Sequence, residues 1–436
     1  MSEETKVADE IEQVPSESEP PYRFICGPAG CGKTFQAKED ADYRTLLVST
    51  TGIAAINLGG TTINAAIGYF DYGSLKENYT NGWLQSRLRK YRSGGTTRIV
   101  VDEASMMDGR QLVVLCKGID EVNEDVDRGW DGDDSDDPRI HLTLVGDFAQ
   151  LPPVDAPFCF EVPVWERFER NTVRTTGTRR QDDADFIGAL RCARRGDGRG
   201  ALEYFRARLH PTKDDSFDGP TVLATNVEVD RFNSLRYDLL GGNEFVFRAK
   251  REGKQRGEWK HIPDELRLRE GALVMILSNY KEPGSRHYTY INGDLGTFEG
   301  YDEAENAFAQ AVLGRPASQV ALVRLQRTGQ VTPVVQVRRE FLVPTGALGV
   351  RKEKFTVEGW VEYTPLRLAW ACTVHKSQGL SLDKVQVAYQ HHFFSNPGSL
   401  YVALSRARSA EGLRLVGTPE VFVERCRADP RVERWL

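Results

Sequence analysis

Long apolar runs are missing from this 436-residue chain. None approaches the roughly 18 residues that a bilayer-crossing helix needs, so no membrane partner is expected. The N-terminal MSEETKVADEIEQ lacks the apolar stretch of a secretory leader. The seven cysteines are odd in number and form no CxxC pair, which argues against both a disulfide framework and a zinc site. These absences together point to a reducing, cytoplasmic setting. No segment repeats at a fixed period, so a solenoid or propeller is not expected.

Net positive charge is also missing. The formal charge is −6, the wrong sign for a partner with a phosphate backbone. Its distribution changes that reading. Residues 1–20 carry seven Asp/Glu against one Lys, and residues 120–137 (DEVNEDVDRGWDGDDSDD) carry ten against one Arg. Both stretches are expected to be solvated and mobile, the first as a disordered tail and the second as a surface loop at about 120–138. Setting them aside leaves about +9 on the rest of the chain, enough Lys and Arg to hold a polynucleotide. Scattered surface charge would give the same count, so composition permits nucleic acid without demanding it.

What is present from residue 22 onward is an alternation of short apolar runs and helix-compatible segments. Residues 22–26 (YRFIC), 45–49 (TLLVS), 98–101 (RIVV) and 141–145 (HLTLV) read as buried strands. The alternation implies a parallel sheet with right-handed crossovers. A second set at 221–224 (TVLA), 272–277 (ALVMIL), 385–388 (VQVA) and 413–416 (LRLV) suggests a second α/β domain. Residues 297–362 are rich in β-branched runs and Gly without helical periodicity, and read as a small all-β insertion.

Residues 27–34 read GPAGCGKT directly after the first strand and before a helix-compatible segment. This is the GxxxxGK[ST] phosphate loop in its strand–loop–helix context. Gly27, Gly30 and Gly32 let the backbone curl so that its N–H groups face phosphate oxygens, and the following helix adds the positive end of its dipole. Lys33 is expected to reach the β/γ-phosphates and Thr34 to ligate Mg²⁺. With Pro28, Ala29, Cys31 and the adjoining Phe35, these residues are the predicted ATP contacts.

The strand at 98–101 delivers Asp102 and Glu103 at its C-terminal end, where ligands bind in open α/β sheets. Asp102 is the predicted second holder of Mg²⁺, and Glu103 the general base for the attacking water. After the strand at 141–145, residues 146–154 read GDFAQLPPV. Its Gln150 can both donate and accept, which suits it to feel a γ-phosphate or a water.

Taken in order, these segments resemble the helicases of superfamily one, in the RecD/Pif-like 5′-to-3′ branch that includes compact phage helicases of the Dda type. The resemblance covers nearly all of the chain after residue 21. TGIAAINLGGTTIN (51–64) resembles a motif that contacts single-stranded DNA, and RIVVDEASMM and GDFAQLPPV resemble motifs II and III. TRRQD (178–182) resembles a segment with a phosphate-contacting arginine, here Arg180. LAWACTVHKSQGLSLD (368–383) resembles motif V, and YVALSRARS (401–409) motif VI, with Arg406 as a second arginine finger. Two departures stand out: Cys31 where Thr is usual, and Asn64 where His is usual. Gln13 is the candidate for reading adenine, in a poor context for it.

The resemblance implies two RecA-like parallel-sheet domains, at 21–175 and at 176–296 plus 363–436. Insertions would lie at about 68–97 and at 297–362, the latter all-β and SH3-like. ATP would sit between the domains, with Arg180 and Arg406 both supplied by the second and Gln378 and Gly379 also at the nucleotide. Thr51, Gly52, Asn64, Thr373 and His375 are the implied DNA contacts. The segment with Phe70, Tyr72, Tyr79 and Trp83 would lie where the family inserts its strand-separating element, and an aromatic there would either stack on a base or pack the insertion's own small core. The implied activity is ATP-driven translocation on single-stranded DNA and unwinding of tailed duplexes by a monomer, in replication, repair or recombination, with the host cytoplasm as the place of action for a phage-encoded chain. An RNA or RNA–DNA helicase and a nucleotide-dependent DNA-loading factor remain the alternatives.

Overall fold

The computed structural model describes residues 20–436 apart from 59, 128–138, 256–258, 260–261, 279, 282–288, 291–292, 303–319 and 346–353. The acidic tail with Gln13, and the later half of the second acidic stretch, lie outside the described residues.

Two parallel sheets organise the chain. The first has six strands, in the order Thr61–Thr62, Thr45–Ser49, Arg98–Asp102, His141–Gly146, Tyr22–Cys26, Thr172–Arg174. Every pairing is parallel. The central strands are apolar along almost their whole length because helices cover both faces. The second sheet runs Ala371–Thr373, Thr221–Leu223, Val385–Ala388, Leu413–Val416, Leu209–His210, again all parallel.

The apolar run at 272–277 does not join the second parallel sheet. Its strand, Leu273–Ile276, pairs antiparallel with Leu295–Asp302 and with Leu366–Leu368. With Val320–Leu325 and Val331–Val334 these make a five-stranded antiparallel sheet. The hairpin partners Glu244–Arg248 and Glu265–Arg269 adjoin it, and Lys250–Gly253, Lys354–Tyr363 and Val337–Thr345 form a further three-stranded sheet. Among the described residues the antiparallel strands thus begin at Glu244, well before residue 297, and extend to Leu368. The misplacement has a physical cause. A continuous apolar run reports burial on both faces and is silent about strand direction.

The second acidic stretch also departs from expectation. Residues 120–127 form the end of the helix Gly109–Asp127. Leu112, Leu115, Cys116, Ile119 and Val122 recur at helical spacing and are all buried, so the apolar stripe carries the helix through the acidic residues. Those acids are partnered. Asp120 takes Arg167 at 2.7 Å and the Tyr22 hydroxyl at 2.5 Å, Asp125 takes Arg89 at 2.8 Å, and Glu121 takes Gln85 at 2.7 Å.

Against this helix packs a helical hairpin, Tyr72–Thr80 and Trp83–Ser93, which fills the place of the expected first insertion. Asp71 opens it with a reciprocal cap on Ser74. At the other end of the chain, after the helix Pro419–Arg425 of the second lobe, residues Pro430–Trp435 cross back to the first. Trp435 lies 5.6, 5.3 and 5.5 Å from the rings of Phe24, Phe148 and Trp165. Arg431 and Arg434 pair with Glu161 and Glu169. Among the described residues no helix is long and apolar enough to cross a membrane.

Candidate nucleotide and nucleic-acid site

The strand Tyr22–Cys26 ends in the phosphate loop, and the helix Lys33–Glu39 begins immediately after it. Gly30 and Gly32 have φ of 82° and 94°, the left-handed region where a side chain is strained. They are also crowded. A Cβ on Gly30 would stand 2.9 Å from Arg180 Cβ, and one on Gly32 2.8 Å from Arg179 Cδ. The segment after strand Thr172–Arg174 therefore lies directly on the loop, pinned there as Thr175 N–H donates to Cys26 O and Arg179 N–H to Gly30 O, each at 2.7 Å.

Lys33 is buried and donates to Gly27 O at 2.8 Å and Pro28 O at 2.9 Å. Its ammonium thus spans the loop on carbonyl dipoles. Cys31 fits where Thr is usual, with its sulfur 3.0 Å from Thr175 Oγ1. The Thr34 hydroxyl donates to Asp102 Oδ2 at 2.8 Å. Burial, then the neighbouring Glu103, push the Asp102 carboxyl up to about 7. Lys33 offsets only part of this, and a divalent ion at Thr34 and Asp102 would supply further compensation.

Glu103 has φ 55°, left-handed for a residue with a side chain, and opens the short turn Ala104–Met106. Strain of this kind is held in place by surrounding structure. Here the side chain is caught across the cleft, as Gln378 Nε2 donates to Glu103 Oε2 at 2.9 Å. Gln150 is buried on the first-lobe side. Its Oε1 and that of Gln378 are both buried without a hydrogen-bond partner, so the cleft holds polar capacity that the protein leaves unused.

Arg406 is 1 % exposed and is held by Val402 O at 2.8 Å and Ser405 Oγ at 2.7 Å. Half-buried Arg180 donates to Ser405 O at 2.9 Å. Withdrawal from water, then the nearby Arg406, bring Arg180 down to about 9, with Glu103 acting in the opposite sense. Burial also lowers Arg406. Both arginines are expected from the second lobe, and Arg180 bonds that lobe at Ser405. Arg406 follows the second-lobe helix Ser399–Leu404, whereas Arg180 sits on the connector lying across the phosphate loop.

The nucleic-acid candidates divide between the lobes. Thr51 Oγ1 accepts Ala54 N–H at the start of the helix Gly52–Leu58, and a Cβ on Gly52 would meet nothing within 4 Å. Asn64 donates to Phe70 O at 3.1 Å and lines an open groove of about 490 Å³ with Thr50, Phe70, Arg110, Pro153 and Val154. On the other lobe Thr373 is buried and its hydroxyl caps the turn Val374–Ser377 by accepting Lys376 N–H. His375 packs on Phe393, and burial lowers its pKa, which favours the neutral ring.

Of the four insertion aromatics, Phe70 and Trp83 are 77 % and 70 % exposed. Tyr72 lies under the Arg110 guanidinium and Tyr79 bonds Glu121, so these two serve packing. The basic run beside them is likewise engaged: Arg87 donates to Ala66 O and Arg89 to Asp125. Asp147, Arg194 and Tyr401 also meet at the cleft, and the sequence alone does not single them out. Asp147 and Tyr401 each stood inside a motif already quoted; nothing local marked Arg194.

Similar arrangements exist in known proteins. A family model described as PIF1-like helicase matches residues 1–158, and another described as helicase matches residues 352–424. The ATP-dependent DNA helicase Pif1 of Bdellovibrio bacteriovorus is 29% identical over 428 residues, 94% of this chain and 86% of that protein. The human ATP-dependent DNA helicase PIF1 is 30% identical over 432 residues, 94% of this chain but 60% of the longer human protein. The crystal structure of Pif1 helicase from Candida albicans superposes with a TM-score of 0.68 at 25% identity, covering 95% of this chain and 94% of that one.

Proposed function

We propose, from a chain that belongs to the PIF1-like helicase family, an ATP-dependent DNA helicase that moves 5′ to 3′ along single-stranded DNA. The observation that carries this reading is that Arg180, lying on the phosphate loop at Gly30, and Arg406 are both bonded to Ser405, at 2.9 and 2.7 Å. Two guanidinium groups withdrawn from water repel each other, and a polyphosphate between them turns that repulsion into attraction.

The chain's own groups supply the steps. The loop amides and Lys33 hold the phosphates, with Lys33 exchanging its carbonyl partners for them. Glu103, steadied by Gln378, accepts the proton of the attacking water. Gln150 orients that water with its free Oε1. Arg180 and Arg406 neutralise charge developing on the transferred phosphoryl group, a contribution on the order of 10³-fold or more. Thr34 and Asp102 fit a resident Mg²⁺, which when bound would neutralise phosphate oxygens.

Once the γ-phosphate leaves, the attraction holding Arg406 to the first lobe is lost and the cleft relaxes. DNA lying along the Asn64 groove and across to His375 would be advanced by that relative motion, with exposed Phe70 or Trp83 placed to stack on a base. Strand displacement on duplexes with either a 5′ or a 3′ tail tests the reading. Unwinding of the 5′-tailed duplex with ATP is expected. Failure on both, with DNA binding intact, would leave a loading factor instead.

A further inference from the structure

The helix Ser399–Leu404 touches the nucleotide site at both ends, and only its C-terminal end has so far been given a role. One turn before Ser405, the buried Tyr401 sends its hydroxyl back to the first lobe. That oxygen accepts the Ala29 N–H of the phosphate loop at 2.7 Å and donates to Asp147 Oδ2 at 3.0 Å. Asp147 is fully buried beside the strand His141–Gly146 and takes Arg194 through its other oxygen at 2.9 Å. Arg194 in turn donates to the carbonyl of Trp435 at 2.7 Å. The start of the helix is equally close-fitted. A Cβ on Gly398 would stand 2.4 Å from the carbonyl oxygen of Gln150.

We propose that Tyr401 is a positioning residue for hydrolysis: its hydroxyl sets the distance between the phosphate loop and the helix that carries Ser405 and Arg406. The argument rests on the helicase reading above and deepens it. Residues 401 and 405 lie on one face of the helix, four apart. Fixing Tyr401 against Ala29 therefore fixes Ser405, whose carbonyl holds Arg180 and whose hydroxyl holds Arg406. A phosphate loop works by offering its amides to an anion. Ala29 offers its own to the second lobe, so loop shape and finger placement share one hydrogen bond. Asp147 strengthens it, since a hydroxyl donating to a buried carboxylate is charge-assisted. Two hydrogen bonds on one hydroxyl oxygen across the seam, one from a backbone N–H and one to a carboxylate, exceed what packing of a tyrosine ring requires.

Tyr401→Phe keeps the ring and removes only the oxygen. In the full chain at saturating single-stranded DNA, kcat for ATP hydrolysis should fall about 10-fold, the equivalent of one lost hydrogen bond. Affinity for a fluorescent ATP analogue should change less than about 3-fold on the same grounds, because the loop's phosphate-facing amides are untouched. Combined with Arg406→Ala, the substitution should add little further loss, because it acts through that arginine. A kcat within about twofold of the parent protein, or fully additive losses in the double variant, would overturn the proposal. Should Tyr401→Phe not fold, Asp147→Asn weakens the same bond from its other partner and must show the same kcat-selective loss. Should Lys33→Ala and Arg406→Ala both keep full ATPase, the helicase reading fails first; should they lose it while Tyr401→Phe does not, this inference alone fails.

Discussion

Gln378 reaches across the cleft to hold Glu103 with a 2.9 Å hydrogen bond, so the group that best fits the role of base is oriented by the opposite lobe. Any motion that parts the lobes releases the carboxylate. On the function proposed above, hydrolysis would be restricted to the closed arrangement, in which Arg406 is also in place.

Replacing Gln378 with Ala should leave nucleotide binding near normal and lower kcat about 10-fold, the effect of losing one positioning hydrogen bond. Glu103→Gln should cost 10²-fold or more, because it removes the proton acceptor itself. Steady-state ATPase at saturating single-stranded DNA, beside nucleotide titration, separates the two.

Arg406→Ala should spare ATP binding and reduce hydrolysis by roughly 10³-fold, as expected for loss of an arginine finger. Single-turnover hydrolysis measures this without interference from product release. Weakened binding with an unchanged single-turnover rate would move Arg406 from the reaction to the docking of the nucleotide.

Lys33→Ala should abolish turnover, since it removes the ammonium that spans the loop on Gly27 and Pro28. The variant should retain its fold, because the carbonyls it releases can be taken by water. Circular dichroism and ATPase on one preparation check both points.

Asp102 makes free-protein stability pH-dependent. Its pKa is raised in the fold, to about 7 from the usual carboxylate range. The native state therefore binds the proton more tightly than the unfolded chain. Its contribution is fully present below about pH 4 and is lost as pH rises through about 7. Without metal or nucleotide, the melting temperature should drop between pH 5 and 8 relative to Asp102→Asn. Magnesium and nucleotide should reduce the difference. A pH series by scanning calorimetry, with and without them, reads the effect.

Much of the site could be read in the linear chain because its chemistry is local. GPAGCGKT, the acids after RIVV and Gln150 each follow a strand, and a parallel sheet delivers such positions to one edge. What could not be read was pairing. ALVMIL announces burial and not direction, so its place in an antiparallel sheet was hidden. The acids at 120–127 announce solvent, and the apolar stripe of the same helix outweighed them. The bond between Ala29 and Tyr401 joins residues 372 positions apart, and no spacing rule reaches that far.

The return of residues 430–435 to the first lobe has a consequence for dissecting the protein. The aromatic cluster around Phe24, Phe148 and Trp165 is completed by an indole encoded far downstream. A fragment cut after strand Thr172–Arg174 would contain a whole six-stranded sheet and still carry an indole-sized void beneath it. Large-to-small losses of this kind cost about 3–5 kcal/mol. Trp435→Ala in the intact chain should show that penalty, and pieces expressed separately should recover stability only when the downstream piece is supplied. On that outcome the lobes, though distinct in architecture, would fold as one thermodynamic body.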